Sequence, residues 1–136
     1  MDGNRSVYII SSAADLLGVH PRTLHLYEEK GLIVPVRKGN RRFYSANDLQ
    51  WVHAIRFMVH ERGINLEGLR QVLALRANLR YKTVASELPG ACLRFASTTE
   101  PCWEKGMTEL KCHDCPVYRG ARDDLQQDQR VPKLST

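Results

Sequence analysis

Only Val19 and His20 separate a helix-ending signal from a helix-starting one. Gly18 closes the run Ser12-Ala13-Ala14-Asp15-Leu16-Leu17, because glycine enters the left-handed conformation without a steric clash. Pro21 opens the next run, since a first-turn N–H would be unpaired there anyway. That run ends at Gly31, just past Lys30. A joint this tight between helices this short suits a helix-turn-helix. Ser12 is expected to cap the first helix, with Asp15 three residues on as its capping-box partner.

The next stretch reads as two short strands, Ile33–Arg37 and Arg42–Tyr44, around Lys38-Gly39-Asn40-Arg41. Arg37, Lys38, Arg41 and Arg42 make the hairpin basic, with no acid among them. A basic hairpin beside a helix-turn-helix is a wing able to straddle a phosphate backbone. The charge distribution agrees. Residues 1–80 carry 12 Lys/Arg against 7 Asp/Glu, whereas residues 81–136 carry 8 of each. The whole formal surplus of +5 therefore sits with the helix-turn-helix, where an anionic polymer would bind.

Val7–Ile10 reads as a lead-in beside the first helix. After the wing, Ser45 with Asp48 signals a capped third helix, and Leu49, Val52, Ile55 and Val59 recur at helical spacing. Trp51 reads as core, and His53 and His60 as ordinary histidines. Asn65 caps a fourth helix, expected to run to about residue 88 before Pro89-Gly90.

Three motifs carry a family resemblance. Thr23-Leu24-His25-Leu26-Tyr27-Glu28-Glu29-Lys30-Gly31-Leu32 resembles the recognition helix of MerR-family regulators. Gly39-Asn40-Arg41-Arg42-Phe43-Tyr44-Ser45, followed by Asp48-Leu49, is similar to that family's wing. Gly63-Ile64-Asn65-Leu66-Glu67-Gly68-Leu69 resembles its heat-shock-repressor branch. The resemblance covers roughly the first 80 residues. It implies a mainly α fold, a winged helix-turn-helix with a short β-hairpin, followed by helices and a small cysteine-rich module.

The resemblance implies a transcription regulator that bends or untwists promoter DNA. Its expected partners are double-stranded DNA, a second copy of the chain and RNA polymerase. On the recognition helix Arg22, Thr23, His25 and Tyr27 are expected to face DNA. On the wing the expected contacts are Lys38, Arg41, Arg42 and Tyr44. The family usually has arginine in place of His25, which implies a weaker or pH-dependent contact there.

The cysteines are Cys92, Cys102, Cys112 and Cys115, all within one stretch. The Cys112–Cys115 spacing places two sulfurs on one side of a tight bend, and the other two complete a four-thiolate set. Such a set suits zinc or an iron–sulfur cluster. The segment has few aliphatics, so a metal staple is expected to hold it together. Zinc ribbons usually bring two C-x2-C pairs, and only one is present. Cys102-Trp103-Glu104 and the run through Cys115-Pro116-Val117-Tyr118 also resemble pieces of cysteine modules in bacterial redox-associated proteins. We therefore favour an iron–sulfur cluster, of the 4Fe-4S or 2Fe-2S kind, with zinc as the alternative. The MerR family's cluster-bearing branch supports the class of cofactor; its cysteine spacing is tighter. His113 is expected to face solvent or to support the ligands, and Trp103 to shield the site.

The domain division expected is 7–75 for the winged helix-turn-helix, 76–90 for a connecting or dimerisation helix, 91–119 for the cysteine module and 120–136 for a disordered tail. Reduced thiols, the lack of an 18-residue apolar run and the polar N-terminus point to the cytoplasm. No paired carboxylates, nucleophile–base set or phosphate loop suggests an enzyme. The alternative reading is a zinc-stabilised architectural or excisionase-like binder without redox sensing.

Overall fold

The computed structural model describes residues 5–84, Trp103, residues 112–129 and residues 132–133, and structural statements concern those residues. In chain order they form β1 (Ser6–Ile9), α1 (Ile10–Leu17), α2 (Pro21–Glu29), β2 (Val36–Lys38), β3 (Arg41–Ser45), α3 (Ala46–His60) and α4 (Leu66–Val84). A single 3-10 turn at Cys112–Asp114 then leads into α5 (Pro116–Gln129). The mainly helical, winged architecture is the one the sequence implies.

The helix-turn-helix forms where the punctuation places it. Gly18 adopts φ 69°, and Val19 N–H donates to Ala14 O at 3.0 Å, closing α1. His20 caps α2, its Nδ1 accepting from Arg22 N at 3.1 Å, with Pro21 in the first turn. Ser12, however, lies inside α1 and caps nothing. Ile9 occupies the cap position, because β1 runs straight into the helix and holds Ile9 extended. The lead-in segment is thus a strand. It pairs antiparallel with β3, giving the sheet order β1-β3-β2.

The wing is narrower than expected, Val36 facing Phe43 and Lys38 facing Arg41 across the Gly39-Asn40 turn. Beyond it, α3 starts on a complete capping box. Asp48 N–H donates to Ser45 Oγ at 3.0 Å, and Ser45 N–H donates to Asp48 Oδ2 at 2.9 Å. Both residues are buried. Asn65 starts α4 by accepting from Gly68 N at 2.6 Å.

One apolar core joins the front and the back of the chain. Leu24, Leu32, Tyr44, Trp51, Ile55, Met58, Leu69 and Leu73 pack with Trp103, Val117, Tyr118, Ala121 and Leu125. The expectation of a disordered tail from residue 120 is therefore corrected for the described part. Val117, Ala121 and Leu125 recur one helical turn apart and bury one face of α5 against α3 and α4. That helix crosses the boundary drawn at residue 119. The same packing corrects the view that the cysteine-bearing segment lacks a hydrophobic anchor. No helix among the described residues is long and apolar enough to cross a membrane.

Candidate nucleic-acid interface

The recognition helix has two faces. Leu24 and Tyr27 are buried, one turn apart, and anchor α2. Arg22, Leu26, Glu29 and Lys30 are exposed, while Thr23 and His25 are half-buried. Tyr27 is only 4% exposed. Burial raises its pKa, partly offset by the charge and hydrogen bond of Arg56. Its expected place at DNA is corrected to the core: it falls on the helix face that must cover Leu24's neighbours.

The wing divides in the same way. Arg37, Lys38 and Arg41 are exposed at the hairpin, and Lys38 Nζ lies 5.3 Å over the Phe43 ring. Arg42 is half-buried, its Nε donating to Glu28 Oε1. Arg37 Nη2 donates to the other oxygen, Glu28 Oε2. Arg37 and Arg42 sit opposite each other across the hairpin, where like charges repel. Glu28 sits between them, removes that repulsion and ties the wing to the recognition helix.

Tyr44, also expected at the backbone, is 1% exposed and belongs to the core. Its hydroxyl finds no hydrogen-bond partner among the described residues. Burial, with the Glu28 charge adding, pushes its pKa up to about 12. Burial rises along β3 from exposed Arg41 to buried Tyr44 and Ser45, so Tyr44 lies where the strand leaves the wing and enters the core.

Behind the wing lies a polar cluster that sequence reasoning missed. Besides capping α3, Asp48 accepts from His113 Nε2 at 2.9 Å and from Arg122 Nη1 at 3.3 Å. All three are buried. His113 is thus not solvent-facing. Burial lowers its pKa, but the hydrogen bonds and charges of Asp48 and Asp114 outweigh that and raise it. Arg119 braces the same turn, donating from Nε to His113 O at 3.0 Å and from Nη2 to Asp114 Oδ1 at 2.6 Å. The only sequence signal for this cluster was Asp48's capping position.

The link between α2 and β2 is held by three aromatic side chains. Trp51 Nε1 donates to Leu32 O at 2.7 Å, and Trp103 Nε1 donates to Gly31 O. Val34 N–H donates to Tyr118 Oη at 3.2 Å. Trp103 and Tyr118 meet edge to face, 5.0 Å between centroids. The Arg122 guanidinium lies 5.4 Å over the Tyr118 ring. Burial raises the Tyr118 pKa.

Of the cysteine set, Cys112 and Cys115 are described. Both are half-buried against the core, on a turn closed by Cys115 N–H donating to Cys112 O at 3.1 Å. Cys92 and Cys102 lie outside the described residues. Among the described residues, no three His, Cys, Asp or Glu side chains come together as a metal site.

Comparison with known proteins agrees with this geometry. Residues 8–75 match the family described as MerR HTH family regulatory protein. The HTH-type transcriptional regulator HmrR of Rhizobium leguminosarum is 42% identical, covering 84% of this chain and 97% of its own. A candidate heat shock protein, HspR, of Streptomyces coelicolor is 31% identical, covering 95% of this chain and 80% of its own. A protein of Haemophilus influenzae described as a heavy metal-dependent transcriptional regulator is 38% identical over 51% of this chain and 55% of its own. The chain belongs to the MerR family of DNA-binding transcriptional regulators, a family that is not one of catalytic enzymes.

Proposed function

We propose that the chain is a dimeric promoter-binding regulator whose grip on DNA responds to chemistry at its four cysteines. The observation that carries the DNA reading is the exposed Arg22 on α2 beside a wing whose Lys38 and Arg41 are exposed. In this reading Arg22, Thr23 and His25 meet the major groove. Lys38 and Arg41 hold the flanking phosphates, with Arg42 and Arg37 shared between Glu28 and the backbone. Arg22 is the best candidate for a base contact. The test is binding of a duplex selected from a random pool, measured across salt. Lys38→Ala and Arg41→Ala should weaken all sequences alike and lower the salt slope by about one each. A change in base preference instead would overturn the wing's role.

Val72, Leu75 and Leu79 support dimerisation. They are 40%, 49% and 58% exposed and share one face of α4. Two-fold operators need two-fold proteins, and a second copy's α4 is the occupant that suits this face. Leu75→Glu should leave a monomer by light scattering.

The turn at Cys112 and Cys115 fits two positions of a four-thiolate set, with Cys92 and Cys102 as the others. An iron–sulfur cluster remains ahead of zinc, and RNA polymerase remains a further partner of the promoter complex. The heavy metal-dependent relative supports a responsive metal site. With Trp103, Val117 and Tyr118 buried, the segment does not rely on metal as its staple. When bound, a cluster would supply redox chemistry and absorb at about 400 nm, whereas zinc is colourless. Anaerobic purification with a spectrum and metal analysis tests this. Protein prepared without air that carries neither iron nor zinc would end the metal reading.

A further inference from the structure

We propose that the cysteine-bearing C-terminal segment sets the position of the wing by gripping the chain at both ends of it. Trp103, His113, Tyr118 and Arg122 are the positioning residues. None of them falls within residues 8–75, the stretch matched by the family. The inference rests on the reading that the wing touches DNA.

The wing is entered through residues 31–35 and left through Ser45. At the entrance, Gly31 O accepts from Trp103 and Val34 N–H donates to Tyr118. At the exit, Asp48 Oδ2 accepts from both Ser45 N–H and His113 Nε2, and its Oδ1 accepts from Arg122. Tyr118 and Arg122 stack, so the two grips form one connected unit. A short two-stranded ribbon is marginal alone, and its direction must come from what holds its ends. Buried donors and acceptors fix such ends well, because leaving one unpaired costs its full desolvation.

The arrangement also places the cysteines next to the wing's supports. His113 lies between Cys112 and Cys115, and Arg119 locks that turn onto α5. A rearrangement of the turn displaces the His113 ring from Asp48, and Asp48 is the capping-box partner of Ser45 at the wing's exit. Thiol chemistry therefore reaches the reading head through one hydrogen bond rather than through the helix α4.

The full-length chain carrying Tyr118→Phe or His113→Phe tests the proposal. Leu125→Ala is the control; it removes core packing from the same helix, and its side chain makes no hydrogen bond. Two readouts are needed: affinity for the selected duplex, and hydrogen exchange of the amides from Val36 to Ser45. Tyr118→Phe and His113→Phe should each weaken binding about tenfold and speed wing exchange by a similar factor, corresponding to one lost buried hydrogen bond. Leu125→Ala should lower thermal stability more than either, yet leave the affinity of the folded chain unchanged. Should binding and wing exchange simply follow stability across the three variants, or stay at wild-type values in the first two, the proposal is overturned. If the wild-type chain selects no duplex, the DNA reading fails, and wing exchange alone still decides whether these residues position the wing.

Discussion

The helix caps in the front of the molecule find partners close by in sequence, whereas the longest polar contacts run from the back to the front. His20 caps a residue two positions on, and the Ser45–Asp48 and Asn65–Gly68 bonds each span three. His113 and Arg122 cross 65 and 74 residues to reach Asp48, and Trp103 and Tyr118 cross 72 and 84 to reach the α2–β2 link. The caps close single elements; the long contacts hold the elements to one another. Asp48 is the residue where both kinds of bond meet.

The largest expected effect tests that meeting point. Asp48→Ala should cost about 3–5 kcal/mol in urea unfolding, since it takes the buried carboxylate from Arg122, which keeps only the exposed Asp123, and from His113. A loss near 1 kcal/mol, what a helix cap alone is worth, would mean that the long-range half adds nothing. Glu28→Gln comes next. It should cost about 1 kcal/mol, because the pairs are partly exposed, while raising non-specific DNA affinity and lowering discrimination for the selected duplex. Filter binding with selected and scrambled duplexes separates these; a parallel fall on both would make Glu28 merely structural. Asn65→Ala isolates a purely local bond, and about 1 kcal/mol lost with DNA affinity kept is the expected result.

Tyr44→Phe should have the smallest effect at neutral pH, a gain of about 0.5 kcal/mol, because its buried hydroxyl has no partner among the described residues and phenylalanine removes its desolvation cost, offset by the space left behind. The sign at high pH follows from its folded pKa of about 12 against 10.0 for the free side chain. The unfolded chain gives up its proton first, so the contribution is whole below pH 10.0 and drains away as pH rises to about 12. Phenylalanine should flatten that alkaline slope in melts taken from neutral to high pH. A loss of duplex affinity at neutral pH would instead return Tyr44 to the DNA face.

The same contrast explains what could be read from the residues in order. The helix-turn-helix, the wing, the capping box and the Asn65 cap were legible, because each rests on signals within a few positions. Tyr27 and Tyr44 were misplaced, because a motif names a residue without saying which face it turns to. Glu28 carried no role beyond its place in the recognition-helix motif until the hairpin folded over it. α5 read as tail: its apolar stripe, Val117, Ala121 and Leu125, is thin and makes sense only against α3 and α4. His113 drew attention as a neighbour of thiols, and its real partner lay 65 residues earlier. Cys92, Cys102 and the end of the expected fourth helix lie outside the described residues.

The aromatic clasp on the α2–β2 link bears on how the protein comes into being. A ribosome delivers the N-terminal half first, at about 5–20 residues per second. During those seconds the Gly31 carbonyl, the Val34 amide and the Asp48 carboxylate await partners not yet translated. The nascent chain therefore emerges with its DNA-binding end still lacking the partners that Trp103, Tyr118 and Arg122 bring to it.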